Sequence, residues 1–353
     1  MTLFLSPLWG AESEHSGGLI KEDYGSLRYS FPVAEGWSFE RLARALLYAE
    51  EIGSSAVVVL HDGQLVLEWG RTTLKIKSHS VRKSLLSALY GIAIEKGYID
   101  ENTTLADLGI DDRPPVLSQQ EKQATILDLL QSRSGIYHEA AAESSHMKRR
   151  RPSRGVFAPG EHWYYNNWDF NVLGTIFERA TNLPIGQAFR EWVAEPIGMQ
   201  DFTAEDVYYS WERVSLHPSY PFWITARDLA RFGQLYLQMG LWDEQQIIPR
   251  SWIEKSIEPH PSTHNEGANE SAYGYMWWIH PSGAFYAEGY LGQFVIVIPE
   301  HKLVIVNRVF TGTPSMGVLP TEMKKELREL VRPVSGKQME RLVELILEAK
   351  PAH

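Results

Sequence analysis

The sequence predicts an α+β protein. An antiparallel sheet is built from both ends of the chain and flanked by helices, and a mainly helical region is inserted between its two parts. Three observations carry this. A strand–turn–strand signal sits early, in "SSAVVVLHDGQLVLEWG" (Ser54–Gly70). Four short β-branched or aromatic runs crowd between Ala272 and Phe310. Between these regions, from about Ser80 to Tyr236, apolar residues recur at helical spacing. The implied organisation is an α/β sheet domain at 31–95 and 225–350, a mainly helical domain at 96–224 and a lead-in segment at 1–30. A ligand cleft is expected at the junction.

Taken in order, Phe39–Gly53 is an amphipathic helix with a glycine stop. Val57–Leu60 is a β-rich run, Asp62-Gly63 a hairpin turn, and Leu65–Trp69 the return strand. Helical periodicity marks Thr125–Gly135, Asn171–Asn182 and Thr225–Gly240, the last with Thr225 as N-cap and Gly240 as stop. "SSHMKRRRPSRG" (Ser144–Gly155) reads as a polar connector. Ala272–His280, Gly283–Gly289, Gln293–Glu300 and Lys302–Phe310 predict an antiparallel meander. "TEMKKELRELV" and "GKQMERLVELILEA" close the chain as amphipathic helix.

The 353 residues are 44% hydrophobic, enough for a sizeable core. A net charge of -10 argues against a broad nucleic-acid surface, which needs clustered Lys and Arg. The one basic run, Lys148–Arg151, is a solvated loop or a local dock for anionic groups. The absence of cysteine excludes disulfides, Cys-ligated zinc and thiol catalysis. The apolar N-terminal start lacks a preceding basic residue and is broken by Pro7, and no apolar run is long enough to cross a bilayer. The expectation is a cytoplasmic protein with neither a membrane nor a nucleic-acid partner.

Candidate chemistry begins with two Ser-x-x-Lys matches. Ser145-x-x-Lys148 runs into Arg149-Arg150-Arg151-Pro152, with no buried helix behind it. Ser80-x-x-Lys83 is followed by Leu85, Leu86, Ala88, Leu89, Ile92 and Ile94, apolar nearly all round, which predicts a central buried helix. Lys83 then shares a helix face with Ser80. Burial lowers its pKa, so a neutral amine can take the serine proton. The competing reading is an N-capping serine beside a lysine that snorkels to solvent.

"APGEHWYYNNWDFNVLG" (Ala158–Gly174) offers two overlapping Tyr-x-Asn pairs, Tyr164/Asn166 and Tyr165/Asn167. A phenol beside Lys and Ser can shuttle protons if its pKa is lowered, and an Asn amide can hold lysine or substrate. Aromatic loop packing competes with this reading. In "AEGYLGQFVIVIPE" (Ala287–Glu300), Gly289 and Gly292 permit close backbone approach, and an edge strand there can offer an N–H to an oxyanion. A plain hairpin turn explains the same glycines. Trp163, Trp168, Trp277 and Trp278 are candidates for a cleft wall or for core packing.

Together these motifs resemble the serine β-lactamase and penicillin-binding-protein superfamily, in its class C-like branch of esterases, D-alanyl-D-alanine peptidases and 6-aminohexanoate-dimer hydrolases. "SVRKSLLSALYGIAIEKGYID" resembles its nucleophile helix, "ATILDLLQSRSGI" its T-x-x-x-L-L-x-x-x-S-G segment, and "PGEHWYYNN....LG" its P-G-x-x-[FW]-x-Y-S-N block. "EPIGMQDF" and "TARDLARFGQLYL" are similar to its segments too. Spacing within the block selects Tyr165 and Asn167. The resemblance spans roughly Ser38 to Phe310.

It implies a β-lactamase/transpeptidase-like fold and a serine hydrolase that needs neither cofactor nor metal. Ser80 would be the acylated nucleophile, Lys83 its base, and Tyr165 the proton shuttle. Asn167 would orient Lys83 and substrate. Ala287-Glu288-Gly289 would stand at the third motif, with the Ser80 and Tyr290 N–H groups as oxyanion hole. Ala287 replaces the usual Lys or His, which points away from β-lactam or D-alanine carboxylates and toward a small-molecule ester or non-peptide amide. A β-lactamase or D-alanyl carboxypeptidase is the alternative enzyme, and a catalytically silent binding protein the alternative outside enzymes.

Other chemistries lack their motifs. There is no Gly-x-Ser-x-Gly elbow, no His-Glu-x-x-His and no phosphate-binding glycine loop, and prolines separate His260 from helical register with His264.

Overall fold

A computed structural model describes residues 28–29, 36–260, 271–312 and 331–351. Its centre is an eight-stranded sheet: β1 (Arg28–Tyr29), β2 (Ala56–His61), β3 (Gln64–Gly70), β8 (Ala272–Tyr273), β9 (Trp278–Ile279), β10 (Phe285–Gly289), β11 (Gln293–Ile298) and β12 (Leu303–Arg308), in the order β1-β3-β2-β12-β11-β10-β9-β8. Strands from both ends of the chain meet where β2 pairs antiparallel with β12, Val58 opposite Val306. Every pairing in this sheet is antiparallel except β1 on β3. Short two-residue strands β4 (Ile76–Lys77), β5 (Trp223–Ile224), β6 (Leu241–Trp242) and β7 (Gln245–Gln246) form two separate ribbons, β4 with β5 and β6 with β7.

The β2–β3 turn follows from its sequence. Asp62 and Gly63 both take positive φ, 49° and 78°, the geometry of a tight hairpin whose twist matches its strands. Central strands β2 and β12 are buried along almost their whole length, as their Val, Leu and Ile runs require.

Helices cover both faces. On one, α1 (Phe39–Glu51) packs against the C-terminal α9 (Gly336–Ala349). Ser38 caps α1 and a Ser335–Gln338 capping box starts α9. Leu42, Ala45 and Ala49 meet Met339, Leu342 and Ile346 over Val57, Val59 and Ile305. On the other face lie α2 (Val81–Glu95) and α7 (Ala226–Leu237), with the helical region beyond: α3 (Ile126–Leu130), α4 (Ser145–Arg150), α5 (Asn167–Thr181) and α6 (Ile185–Phe189), together with α8 (Arg250–Ser256). Every residue of α2 from Val81 to Ala93 is buried. Full burial of each of Leu85, Leu86 and Leu89 contributes about 1.5–3 kcal/mol, so the start of this helix is held rigidly.

Several expected elements differ. α3 ends five residues before Gly135, because Ser132 and Gly135 take φ of 59° and 68° and turn the chain away. α5 begins at Asn167, four residues earlier than the periodicity places it, because Asn166 caps it by accepting from Trp168 N–H. The Ala272–His280 strand is two short strands, joined by a turn in which Gly274 N–H donates to Trp277 O and Met276 takes φ 64°. The polar connector contains α4, capped by Ser144 and with no buried residue. Arg28 and Tyr29, in the segment read as a lead-in, are an edge strand of the sheet. "TEMKKELRELV" lies outside the described residues except for Val331.

Candidate active site

Ser80 stands immediately before α2, at the N-cap position, with helical φ and ψ of -76° and -10°. Its hydroxyl makes no capping hydrogen bond, so the capping role weighed against a nucleophile is not the one it plays. Lys83 Nζ lies 2.7 Å from Ser80 Oγ in a hydrogen bond. Lys83 does not snorkel. It is 2% exposed, with Nζ 4.7 Å from the Tyr165 ring centroid and 4.8 Å from that of Phe170. Burial among these rings pushes its pKa well below the ordinary lysine value, and the neighbouring Arg82 guanidinium lowers it further.

Tyr164 and Tyr165, adjacent in the segment that leads into α5, have different partners. The Tyr164 hydroxyl donates to Met147 O on α4. The Tyr165 side chain instead faces Ser80 and Lys83, with Lys83 Nζ 4.7 Å from its ring centroid. The expectation of an acidified phenol is reversed: burial raises its pKa, and the Ser80 hydroxyl and the charge of Arg82 only partly oppose this. Tyr165 is therefore a neutral phenol in the free protein, beside an amine whose charged form burial disfavours.

Asn167 is the first residue of α5. Its Nδ2 donates to Ala142 O at 2.7 Å, while its buried Oδ1 has no partner among the described residues. Asn166 is engaged in structure: Nδ2 donates to Ile136 O and to Asp169 Oδ1, and Oδ1 accepts from Trp168 N–H.

The third-motif residues lie on β10. Burial alternates along it, so Phe285, Ala287 and Gly289 are buried while Tyr286 and Glu288 are only partly so. Ala287 packs its methyl into the larger core and brings no polar group to the site. Gly289 abuts the backbone of Ser78 and Ser80: a Cβ there would come 2.4 Å from Ser78 O and 3.2 Å from Ser80 N. Tyr290 follows, 65% exposed, its ring edge-on to His79. Neither Ser80 N–H nor Tyr290 N–H donates to a backbone carbonyl among the described residues. His79 itself takes φ 50° and is kept neutral by burial, its pKa lowered to about 3.

The tryptophans divide. Trp168 and Trp277 are core, the first donating to Asp112, the second packed among Phe232, Tyr236 and Phe285. Trp278 stacks on Tyr165 at 5.6 Å and meets Trp163 and Tyr273 edge-on, so these three rings wall the site. Sequence reasoning did not single out Tyr273, Phe170, Arg82 or Asp169. Arg82 NH2 donates to Asn171 Oδ1 at 2.7 Å and the guanidinium lies 4.1 Å over the Tyr220 ring. Asp169 is fully buried, accepts from Ser134 and Asn166, and is driven toward its neutral form by burial. The second Ser-x-x-Lys pair sits on the exposed α4, where nothing desolvates Lys148. No group of His, Asp and Glu among the described residues is placed to hold a metal ion, and no described helix is long and apolar enough to cross a membrane. His264 lies outside the described residues.

The beta-lactamase family model matches residues 39–317, and the chain belongs to that family. Among its relatives, the 6-aminohexanoate-dimer hydrolase of Paenarthrobacter ureafaciens is 23% identical over 292 residues, 73% of each chain. Esterase EstB of Burkholderia gladioli is 33% identical over 81 residues, 23% of this chain and 20% of that one. The crystal structure of a family VIII carboxylesterase superposes with a TM-score of 0.63 at 16% identity, covering 88% of this chain and 97% of that one. The fold and the family are thus those that the ordered motifs imply.

Proposed function

We propose that the protein is a serine hydrolase that cleaves an ester or amide of a small molecule through an acyl-enzyme on Ser80. The 2.7 Å contact between Ser80 Oγ and a buried Lys83 whose charged form is disfavoured carries this reading. Lys83 accepts the Ser80 proton as Oγ attacks the substrate carbonyl carbon. The oxygen that becomes negative accepts hydrogen bonds from the N–H groups of Ser80 and Tyr290, which Gly289 allows to stand close together. Tyr165 gives its proton to the departing oxygen or nitrogen and is reprotonated through Lys83. Water then attacks the acyl carbon, losing a proton to the same pair, and Ser80 Oγ leaves with a proton restored. Asn167 Oδ1 supplies the free acceptor for a substrate donor or for Lys83.

The esterase and the 6-aminohexanoate-dimer hydrolase among the relatives support an ester or amide substrate. Ala287 supports it too, because no Lys or His stands there to hold a carboxylate. Labelling with a fluorophosphonate, followed by peptide mass spectrometry, should place the adduct on Ser80. Esterase activity undiminished in Ser80→Ala would refute the proposal.

A further inference from the structure

One carboxylate on the strand that flanks Ser80 has no role in the chemistry above. Glu288 stands between Ala287 and Gly289, one residue from the backbone that touches Ser80. It is largely withdrawn from water yet makes no hydrogen bond or ion pair with any described residue, and burial alone pushes its pKa up to about 6. Its charge acts on the hydroxyls of Tyr165 and of Tyr286, its neighbour on the same strand face.

Aromatic rings connect it to the nucleophile. Tyr165 and Trp278 are stacked at 5.6 Å and 22°, and Trp278 and Tyr286 at 6.5 Å and 18°. At such centroid separations stacked rings are offset, so part of each face stays open. All three rings are partly exposed. A wall of π faces ending in a carboxylate with no partner among the described residues attracts a cation through both the ring quadrupoles and the full negative charge. It repels an anion, and a neutral ligand would leave the carboxylate desolvated without a partner.

We infer that Glu288, with Trp278 and Tyr286, selects substrates bearing an ammonium group and disfavours carboxylates. This rests on the hydrolase reading above, and it names the substrate class of that same site. Two substrate pairs test it on the full chain. One is choline butyrate against its uncharged dimethylbutyl isostere. The other is the p-nitrophenyl ester of trimethylammonio-butyrate against its tert-butyl isostere. In at least one pair the cationic member should have a kcat/KM about tenfold higher, through KM. Glu288→Gln should collapse that ratio toward one, and Glu288→Asp should retain most of it.

Calorimetric binding of the same pairs to Ser80→Ala, with and without Glu288→Gln, reads the preference without turnover. No preference in either pair, or a preference that survives Glu288→Gln, overturns the inference even if Ser80 is acylated. A cation preference in binding with no turnover of any ester by the native protein would keep the inference and sink the hydrolase.

Discussion

Gly289 and Ser80 touch through backbone alone: a Cβ on Gly289 would lie 3.2 Å from the Ser80 amide nitrogen and 2.4 Å from Ser78 O. Backbone atoms cannot swing aside as a side-chain end can. Gly289→Ala therefore has to push β10 away from the start of α2. The expected cost is about 1–3 kcal/mol of stability. Because the two N–H donors also part, kcat toward p-nitrophenyl acetate should fall by about 10²–10³. Thermal denaturation and steady-state kinetics check both, and a variant with native kcat would remove this strand from the oxyanion site.

Lys83 must be uncharged to act as base, and burial among Tyr165 and Phe170 shifts it in that direction. Lowering an amine's pKa moves the rise of activity to lower pH. Activity is therefore lost as pH falls through the lowered Lys83 value, and it is already established well below the ordinary lysine range near 10.5. Lys83→Arg puts a permanent positive charge there that cannot act as base, so kcat should drop by about 10²–10⁴. A pH–rate profile that begins to rise only near the ordinary lysine value would contradict this.

Tyr165 is held protonated by burial. Tyr165→Phe leaves the stacked contact with Trp278 in place and removes only the hydroxyl. Its melting temperature should stay close to native while kcat falls by about 10²–10³, the range of a lost general acid. Tyr164→Phe is the control, since its hydroxyl bonds to Met147 O, and it should keep its kcat.

The parts of this site legible in the sequence are those with a local pattern. α2 announced itself because apolar residues occupy every side of it, a pattern that only a buried helix explains. The same test set Ser145 aside, and its helix is indeed exposed. The rings around Lys83 were hidden for the opposite reason. Phe170 reaches Lys83 from α5 and Tyr273 reaches the Tyr165 ring from β8, and no spacing in the chain links them. Arg82 was overlooked because a buried arginine has no sequence signature until Asn171 and Tyr220 are brought beside it by the fold. The direction of the Tyr165 shift also depends on how much water the packed rings exclude.

The cation preference inferred for Glu288 depends on its ionisation. Its pKa is raised from 4.5 to about 6, so the carboxylate form is disfavoured in the folded protein and complete only above that value. The cationic-to-neutral ratio of kcat/KM should therefore rise as pH passes through about 6 and level off above it. Glu288→Gln should give a flat ratio. Taking a ratio cancels the ionisation of Lys83, which both substrates share.

Alanine variants of Asn166 and Asn167 test the register of the Tyr-x-Asn pair. Asn166 caps α5 and ties it to Ile136 O and Asp169. Asn166→Ala should cost about 1–3 kcal/mol, as a lost cap with buried partners left open. Asn167 makes one bond, to Ala142 O, and leaves Oδ1 unpaired among the described residues. Its substitution by Ala removes a buried acceptor that had no partner, so it should cost less stability, about 1 kcal/mol. The larger loss should be in kcat/KM, about tenfold or more, as one hydrogen bond to substrate or Lys83 disappears. Denaturation midpoints and kcat/KM for the two variants separate the cases. If Asn166→Ala loses catalysis at native stability and Asn167→Ala loses only stability, the working pair is Tyr164/Asn166, and the assignment of Tyr165 as proton donor falls with it.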